Sequence, residues 1–168
     1  EYLTAATDLL VSDLEWMTAQ WAAGGAARTE LNRNEDAGIA AVLTGMGSLS
    51  YGEVAGERMR LGVMLNDPEE EHSCFADNTH NDHYHDGLGV QNAYLGEYVR
   101  IDGSVVSGAS LSDMVAATDV SLDTEMRAKL SATMKALGRI KTTAEAGFAY
   151  DQLLERGNEV GEAVIMGG

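Results

Sequence analysis

The sequence predicts an all-α protein, an up-down helical bundle of about four main helices with one small β-hairpin inserted. Apolar residues recur at steps of three and four over several long segments, which is the period of an amphipathic helix. Only Asp102-Gly103, which stands between two short β-prone runs, is typical of a hairpin. With 168 residues, of which 45% are hydrophobic, the chain can bury one core. We therefore expect a single helical-bundle domain over residues 1–168.

The first two helices are predicted over residues 3–22 and 35–65. The pair Gly24-Gly25 ends the first helix before a polar loop, and its apolar stripe, which we expect the bundle to bury, consists of Leu3, Leu10, Leu14, Met17 and Trp21. The second helix contains glycines, each of which costs about 1 kcal/mol relative to alanine. We therefore expect either a break near residues 48–51 or close helix–helix contact across Gly45, Gly47 and Gly52.

The third helix follows the only proline, Pro68, and an irregular loop that continues to about Asn78. Either Asn78 or Thr79 is predicted to cap this helix, which runs to about Tyr98. Its apolar side is predicted to consist of Tyr84, Leu88, Asn92 and Leu95.

After the hairpin, the sequence predicts a short helix, a long helix and a last helix. Ser110 and Asp113 form a capping-box pattern at the start of the short helix, residues 110–117. The long helix covers about 121–146, and the last covers about 151–166. The core stripe of the long helix is predicted to consist of Met126, Leu130, Met134, Leu137 and Ile140.

The charge of the chain is strongly negative, with 11 Lys and Arg against 27 Asp and Glu and a net charge of −16. Such a surface repels phosphate backbones, so we expect no nucleic-acid partner, and it attracts cations. The single cysteine cannot form an internal disulfide. Neither a transmembrane helix nor a signal peptide is predicted. Because the first residue is Glu1 and not Met, we expect a chain that is processed, truncated or part of something longer.

All four histidines, five carboxylates and the only cysteine fall within residues 70–86. On a helix that begins near Thr79, His80 and His83 are three residues apart and share a face. Imidazole and carboxylate groups at this spacing can chelate a first-row divalent metal ion, with ligands from the preceding loop completing the shell. The predicted metal ligands are His72, His80, Asp82 and His83.

Other interpretations of these residues stay open. The chain has neither an HExxH motif nor a CxxC pair. His83 and His85 flank Tyr84 and cannot share a helical face, so at least one of them is expected to be exposed. An alternative for His72, which follows three glutamates, is a surface charge pair, and carboxylates there raise the pKa of a histidine, which opposes metal binding until the pH rises. Cys74 is expected to be a small buried residue and not a ligand.

A second polar cluster lies in residues 48–60, where Glu53 and Glu57 are four residues apart and Arg58 follows. One interpretation is an ordinary exposed Glu–Arg pair. The functional interpretation places Glu57 or Arg58 against the polar loop, as a partner of Asp77 or of a bound anion. The chain has no GxSxG motif, so catalysis by a nucleophilic serine is not predicted.

Three segments resemble the imelysin family of bacterial proteins. They are TGMGSLSYGEVAGERM, EEEHSCFADNTHNDHYHDGLGVQNAYLGEY and DGSVVSGASLSDMV. The similarity runs from Tyr2 to about Val164 and includes the opening helix and the late FAYD segment. The EHSCFADNTH block is the specific part of it.

The resemblance implies two helical bundles that arose by duplication, in a bacterial protein that is periplasmic or tethered to a membrane as a lipoprotein. Family members are linked to iron uptake and were named as peptidases. The family's GxHxxE motif lies in the N-terminal half and is absent here, so the chain resembles the C-terminal half and carries no catalytic signature. The implied site lies where the halves meet, and the residues that match the family blocks are Glu57, Arg58, Glu71, His72, Ser73, Asp77, Asn78 and His80.

These observations leave three functional hypotheses. The favoured one is a binding module that holds iron, another divalent metal or an iron-bearing ligand at a site shared with an N-terminal half. The second is a structural bundle with a buried polar network and no ligand, which predicts loss of folding on Asp77→Ala. The third is half of a metallopeptidase, completed by a GxHxxE motif on the N-terminal half.

Overall fold

A computed structural model describes residues 1–167 of the chain. Contacts divide the chain into two compact units, Glu1–Gly45 and Met46–Gly168. Helices dominate, and the strands found within residues 1–167 form one two-stranded hairpin, so the predicted all-α class with a small β insertion is confirmed. The single domain expected over the whole chain stays a prediction. No helix of the described part is long and apolar enough to span a membrane.

The first unit contains α1 (Tyr2–Trp21), α2 (Ala26–Leu31) and most of α3 (Glu35–Gly47). The predicted first helix is confirmed, but the loop expected after it contains α2, because Ala, Arg, Glu and Leu favour a helix. The expected burial of the apolar stripe of α1 is wrong, since no residue of α1 is buried. Within its unit α1 packs mainly on α2, which is too short to cover a twenty-residue helix.

The second unit opens with a change of helix type. A π-helix, Ser48–Arg60, precedes α4, Leu61–Leu65. The predicted break is therefore wrong, because the hydrogen bonds change to the i→i+5 pattern and the helix continues. Close contact across the glycines is also wrong, since a Cβ added at Gly47 or Gly52 would meet nothing within 4 Å. The helix ends, as predicted, just before Pro68, at Asn66 with φ +49°.

Helix α5, Thr79–Leu95, follows a loop that holds two short 3₁₀ turns. Gly96, with φ +64°, ends α5 three residues before the predicted end, because this left-handed conformation cannot continue a helix. The predicted hairpin is confirmed as β1, Glu97–Val99, and β2, Val105–Ser107, with Tyr98 opposite Val106.

Helices α6, Leu111–Thr118, and α7, Val120–Glu145, follow the hairpin. The predicted capping box of α6 is confirmed, because the Ser110 hydroxyl accepts the Asp113 N–H and the Asp113 carboxylate accepts the Ser110 N–H. The core stripe predicted for α7 is confirmed in outline, since three of its members are buried: Leu130, Leu137 and Ile140.

The last segment differs from its prediction, because it forms two helices, α8, Tyr150–Leu153, and α9, Glu159–Met166. Gly157, with φ +86°, breaks the segment, and the Asn158 side chain caps α9 by accepting the Gly161 N–H. Both helices help to form the core of the second unit, which the π-helix, α4 and α7 complete. The members of this core are Val54, Met59, Val63, Leu137, Ile140, Tyr150, Leu153, Leu154 and Ile165.

Candidate functional site

Helix α5 buries a different face from the predicted one. Its buried residues are Thr79, His83, Val90 and Tyr94, whereas the predicted face of Tyr84, Leu88, Asn92 and Leu95 is only partly buried. Gly87, one turn after His83, explains why this face of α5 is buried. A Cβ at Gly87 would lie 2.4 Å from Leu137 Cδ1, so the missing side chain lets α7 approach on this face. The close approach takes His83 into the interior.

The ring of His83 is completely buried. It meets the ring of Tyr150 edge to face, with centroids 5.0 Å apart and planes at 84°. The ring of His72 is a second neighbour, with its centroid 6.4 Å from that of His83. His85 is exposed, so the prediction that at least one of His83 and His85 faces solvent is confirmed.

Burial lowers the pKa of His83 from 6.5 to about 4. The charges of His72 and Arg58 lower this pKa further, and the Asp82 carboxylate opposes them. The pKa of His83 falls although Asp82 raises it, because desolvation of the imidazolium exceeds the attraction of the carboxylate. At neutral pH the ring is uncharged and one ring nitrogen carries a free lone pair.

Two hydrogen bonds from Ser73 hold the loop of residues 71–78 against α5. The Ser73 N–H donates to Thr79 Oγ1 at 3.0 Å, and the Ser73 hydroxyl donates to the Asp82 carboxylate. Asp77 turns the chain into α5 with φ +49°, a conformation that Asp tolerates better than most residues. Ser73 and Asp82 therefore hold the loop in place, whereas Asp77 forms the turn that leads into α5.

Glu71 is buried where this loop meets the bundle. Burial raises the pKa of its carboxyl, a hydrogen bond with the Thr79 side chain opposes the rise, and the carboxylates of Asp151, Asp77 and Asp82 add to it. An anion held here is poorly solvated and has several like charges near it. Glu71 would therefore gain from a proton or a cation.

Buried polar atoms without a hydrogen-bond partner are concentrated at this place. Within residues 1–167 they are Glu71 Oε2, His80 Nδ1, both ring nitrogens of His83 and the hydroxyl of Tyr150. Buried polar groups are nearly always paired in native proteins, so each such atom calls for an explanation. We call the set of Glu71, His72, Asp82, His83 and Tyr150 the Glu71–His83 cluster. The unpaired atoms of Glu71, His83 and Tyr150 lie within it.

The predicted metal ligands are brought together only in part. His72, Asp82 and His83 lie near one another, whereas His80 Nε2 lies 3.1 Å from Asn81 Nδ2, beside Lys141 of α7. Over residues 1–167, no three His, Cys, Asp or Glu side chains are arranged to hold a metal ion. The metal site stays a prediction, and the cluster by itself offers an incomplete set of ligands.

The second predicted polar cluster forms a surface pair. The guanidinium of Arg58 lies 3.8 Å from the Glu53 carboxylate, five residues back, because the π-helix brings residues at this spacing together. Glu57 is exposed. Arg58 also places a positive charge near His83, and its predicted role as a partner of Asp77 or of a bound anion stays a prediction.

The remaining predicted residues lie on the rim. Asp77 and Asn78 are exposed, and Asn78 Oδ1 accepts a hydrogen bond from Asn81 at 2.8 Å. Cys74 is partly buried, and the neighbouring side chain of Phe75 is completely exposed. The loop thus presents an aromatic ring to solvent beside the cluster.

Tyr150, a member of the cluster, carried no sequence signal that assigned it a role, whereas the spacing of Asp86 from Asp82 and His83 predicts a shared helical face. Tyr150 comes from α8, 67 positions after His83, and Asp86 stands one turn after Asp82. Burial raises the pKa of Asp86, with His72 and His85 lowering it and Asp82 raising it. Contacts between residues so far apart in the chain follow from the packing of α5, α7 and α8. The periodicity of apolar residues within one segment does not predict such packing.

The fold and the cluster together define an all-helical protein with a candidate binding site. A profile of the imelysin family matches residues 1–167, and the chain belongs to that family. The predicted resemblance is therefore confirmed. No curated protein matches the sequence significantly.

Proposed function

We propose that this imelysin chain binds iron, another divalent metal ion or an iron-bearing ligand at the Glu71–His83 cluster. The observation that carries the proposal is the fully buried ring of His83, whose two nitrogens both lack a hydrogen-bond partner. A buried group of this kind costs stability, and a ligand that pairs with its nitrogens would offset that cost.

The protonation states of the cluster suit a cation. Metal ligands must be deprotonated, and the lowered pKa of His83 keeps its imidazole neutral at physiological pH. Glu71 lies among other carboxylates, whose mutual repulsion a cation would relieve. The net charge of −16 also raises the local concentration of cations at the surface.

The available ligands fit a metal ion only in part. Imidazole nitrogen and carboxylate oxygen are suitable donors for iron and zinc, but the cluster lacks a complete set of three. We therefore propose that further donors come from another polypeptide, the N-terminal half that the family resemblance implies. The exposed Phe75 beside the cluster is the kind of aromatic residue that such a contact would cover.

We further propose a location in the bacterial periplasm, or on a membrane facing it, because the imelysin resemblance implies one. A metallopeptidase uses water that the metal activates, and this chain has no GxHxxE motif, so peptidase chemistry would require the N-terminal half.

The test is the metal content of the purified chain, with and without an added N-terminal half. Samples are equilibrated with iron, zinc or calcium, desalted and counted by mass spectrometry. Near-stoichiometric metal is expected with the half present. It should be lost in His72→Ala, a change of an exposed residue that leaves the core intact, and in His83→Gln.

The matched control is His85→Ala, which removes an exposed histidine from the same helix and should retain the metal. Equal metal content in all three variants, or none in the wild-type assembly, would refute metal binding at the cluster. An iron chelate added in place of the free ion tests the iron-bearing ligand in the same variants.

A further inference from the structure

A cavity of about 130 Å³ lies within the second unit, and its described lining residues include no member of the Glu71–His83 cluster. The π-helix, α5 and α7 form its walls, with Val54, Val90 and Leu137 among the buried lining residues. Most of the lining is aliphatic or methionine. Gly87 and the small Ala55 also belong to the lining and contribute little side-chain volume to it.

The wall contains one ionisable group among the described lining residues, the carboxyl of Asp86. Asp86 is half-buried and has no side-chain hydrogen bond or salt bridge within residues 1–167. The two other polar lining residues are hydroxyls, and that of Ser50 already donates to the Met46 carbonyl oxygen at 2.7 Å. The cavity therefore combines an apolar body with a single anionic end.

We propose that this cavity binds a small organic cation, a primary ammonium group on a compact apolar body. The ammonium pairs with Asp86, and the apolar body fills the space between Val54 and Leu137. The proposed ammonium site uses Asp86, which lies beside the Glu71–His83 cluster, and no member of that cluster, and it requires no donor from outside the chain.

The size and chemistry of the cavity favour this ligand over water or a neutral molecule. An apolar cavity of roughly 150 Å³ is enough to bind benzene, and in this wall only Asp86 and two hydroxyls can hold water, so the aliphatic part favours an apolar body. A neutral apolar molecule would leave the carboxylate of Asp86 uncompensated when it excluded water from it. A cation replaces the lost hydration by an ion pair with a hydrogen bond, which is a strong interaction when partly desolvated.

The experiment compares benzylammonium with benzyl alcohol, which has the same apolar body without the charge. Binding to the full chain is measured by isothermal titration calorimetry, with ligand-observed NMR as a second readout. We expect benzylammonium to bind about tenfold more tightly or better, the effect of one partly desolvated charge-assisted hydrogen bond.

Three variants distinguish this cavity from the rest of an acidic surface. Asp86→Asn should remove the preference for the cation, and Ala55→Leu, at an exposed wall position, should weaken both ligands by filling the space. His83→Gln should bind both ligands as the wild type does, so failure of the metal proposal leaves this one untouched. Circular dichroism checks that each variant is folded.

Equal affinity for the two ligands in the wild type would overturn the proposal. So would an unchanged preference in Asp86→Asn, which would assign the binding to other carboxylates, or full binding in Ala55→Leu. The absence of binding by either ligand in the folded wild-type chain would also reject the site.

Discussion

Two of the buried polar side chains of helix α5, His83 and Tyr94, have opposite surroundings. The Tyr94 hydroxyl donates to Asp123 at 3.0 Å, and Asp123 also accepts hydrogen bonds from Ser112 and, at 2.9 Å, from Arg127. His83 has no hydrogen bond at either ring nitrogen.

The difference separates a structural polar group from a candidate binding group. The Tyr94–Asp123 network fastens α5 and α6 to α7, and each of its members has a partner. The ring of His83 lies in the same bundle with its polar atoms unused. Unpaired buried groups lower stability, so the comparison predicts that removing polarity has opposite effects at the two places.

The largest expected effect concerns pH and His83. As the pH falls below 6.5 the unfolded chain protonates this histidine, whereas the folded chain resists until about pH 4. The free energy of unfolding should therefore be greatest above pH 6.5 and fall by on the order of 3 kcal/mol as the pH drops to 4. Urea unfolding followed by circular dichroism between pH 8 and pH 4 measures this change in the free energy of unfolding.

In His83→Phe this part of the pH dependence should disappear, while in the control His85→Ala it should remain. Asp123 behaves differently, because the Ser112 hydrogen bond and its other partners lower its pKa below 3.8. Its contribution is present above that value and is lost only at more acidic pH. If the free energy of unfolding fell equally between pH 6.5 and 4 in His83→Phe and in the wild type, the pH dependence could not be assigned to His83.

The next effect concerns the satisfied network. Ser112→Ala removes a buried hydroxyl that donates to Asp123 and should lower the free energy of unfolding by about 2 kcal/mol. His83→Phe at pH 7.5 should leave stability equal or raise it, because two unpaired nitrogens are removed. Thermal and urea unfolding measure the stability of both variants. A larger loss of stability in His83→Phe than in Ser112→Ala would contradict the view that Ser112 is structural and that the nitrogens of His83 are unused.

A smaller effect is expected at the turn into the site. Asp77 is exposed and adopts φ +49°, so Asp77→Ala should cost about 1 kcal/mol through backbone strain, and Asp77→Gly should be neutral or stabilising. The structural hypothesis, in which Asp77→Ala abolishes folding, makes a different prediction. Equal losses in the Ala and Gly variants would show that the side chain acts and not the backbone.

The smallest effect concerns the Glu53–Arg58 pair, which is largely exposed. Glu53→Gln should change the free energy of unfolding by less than about 0.5 kcal/mol, since exposed ion pairs contribute little. Urea unfolding at low and high salt checks this. A change above 1 kcal/mol would mean that the pair stabilises the π-helix more than its exposure indicates.

The sequence predicted the features that depend on neighbouring residues. The capping box at Ser110, the hairpin around Gly103 and the stripe of α7 each follow from a local pattern with a clear physical cause. The family blocks also located the loop from Glu71 to Asn78, which packs on α5 beside His83.

The missed features depend on contacts between distant segments. In α5, a glycine and a histidine lie on the buried face. The spacing of the apolar residues therefore predicted burial of the wrong face of the helix. The partners of Tyr94 and His83 come from α7 and α8 and leave no pattern in their own neighbourhood. The π-helix escaped prediction because its i→i+5 bonding has no signal as strong as a cap or a turn.

The π-helix of Ser48–Arg60 has an evolutionary consequence. It uses more residues per turn than an α-helix, so losing one residue allows a turn to revert to i→i+4 bonding while the flanking turns keep their orientation. An ordinary helix would have to rotate every side chain beyond the deletion. Single-residue length differences between imelysin relatives are therefore expected to gather in this segment, where the fold can absorb them.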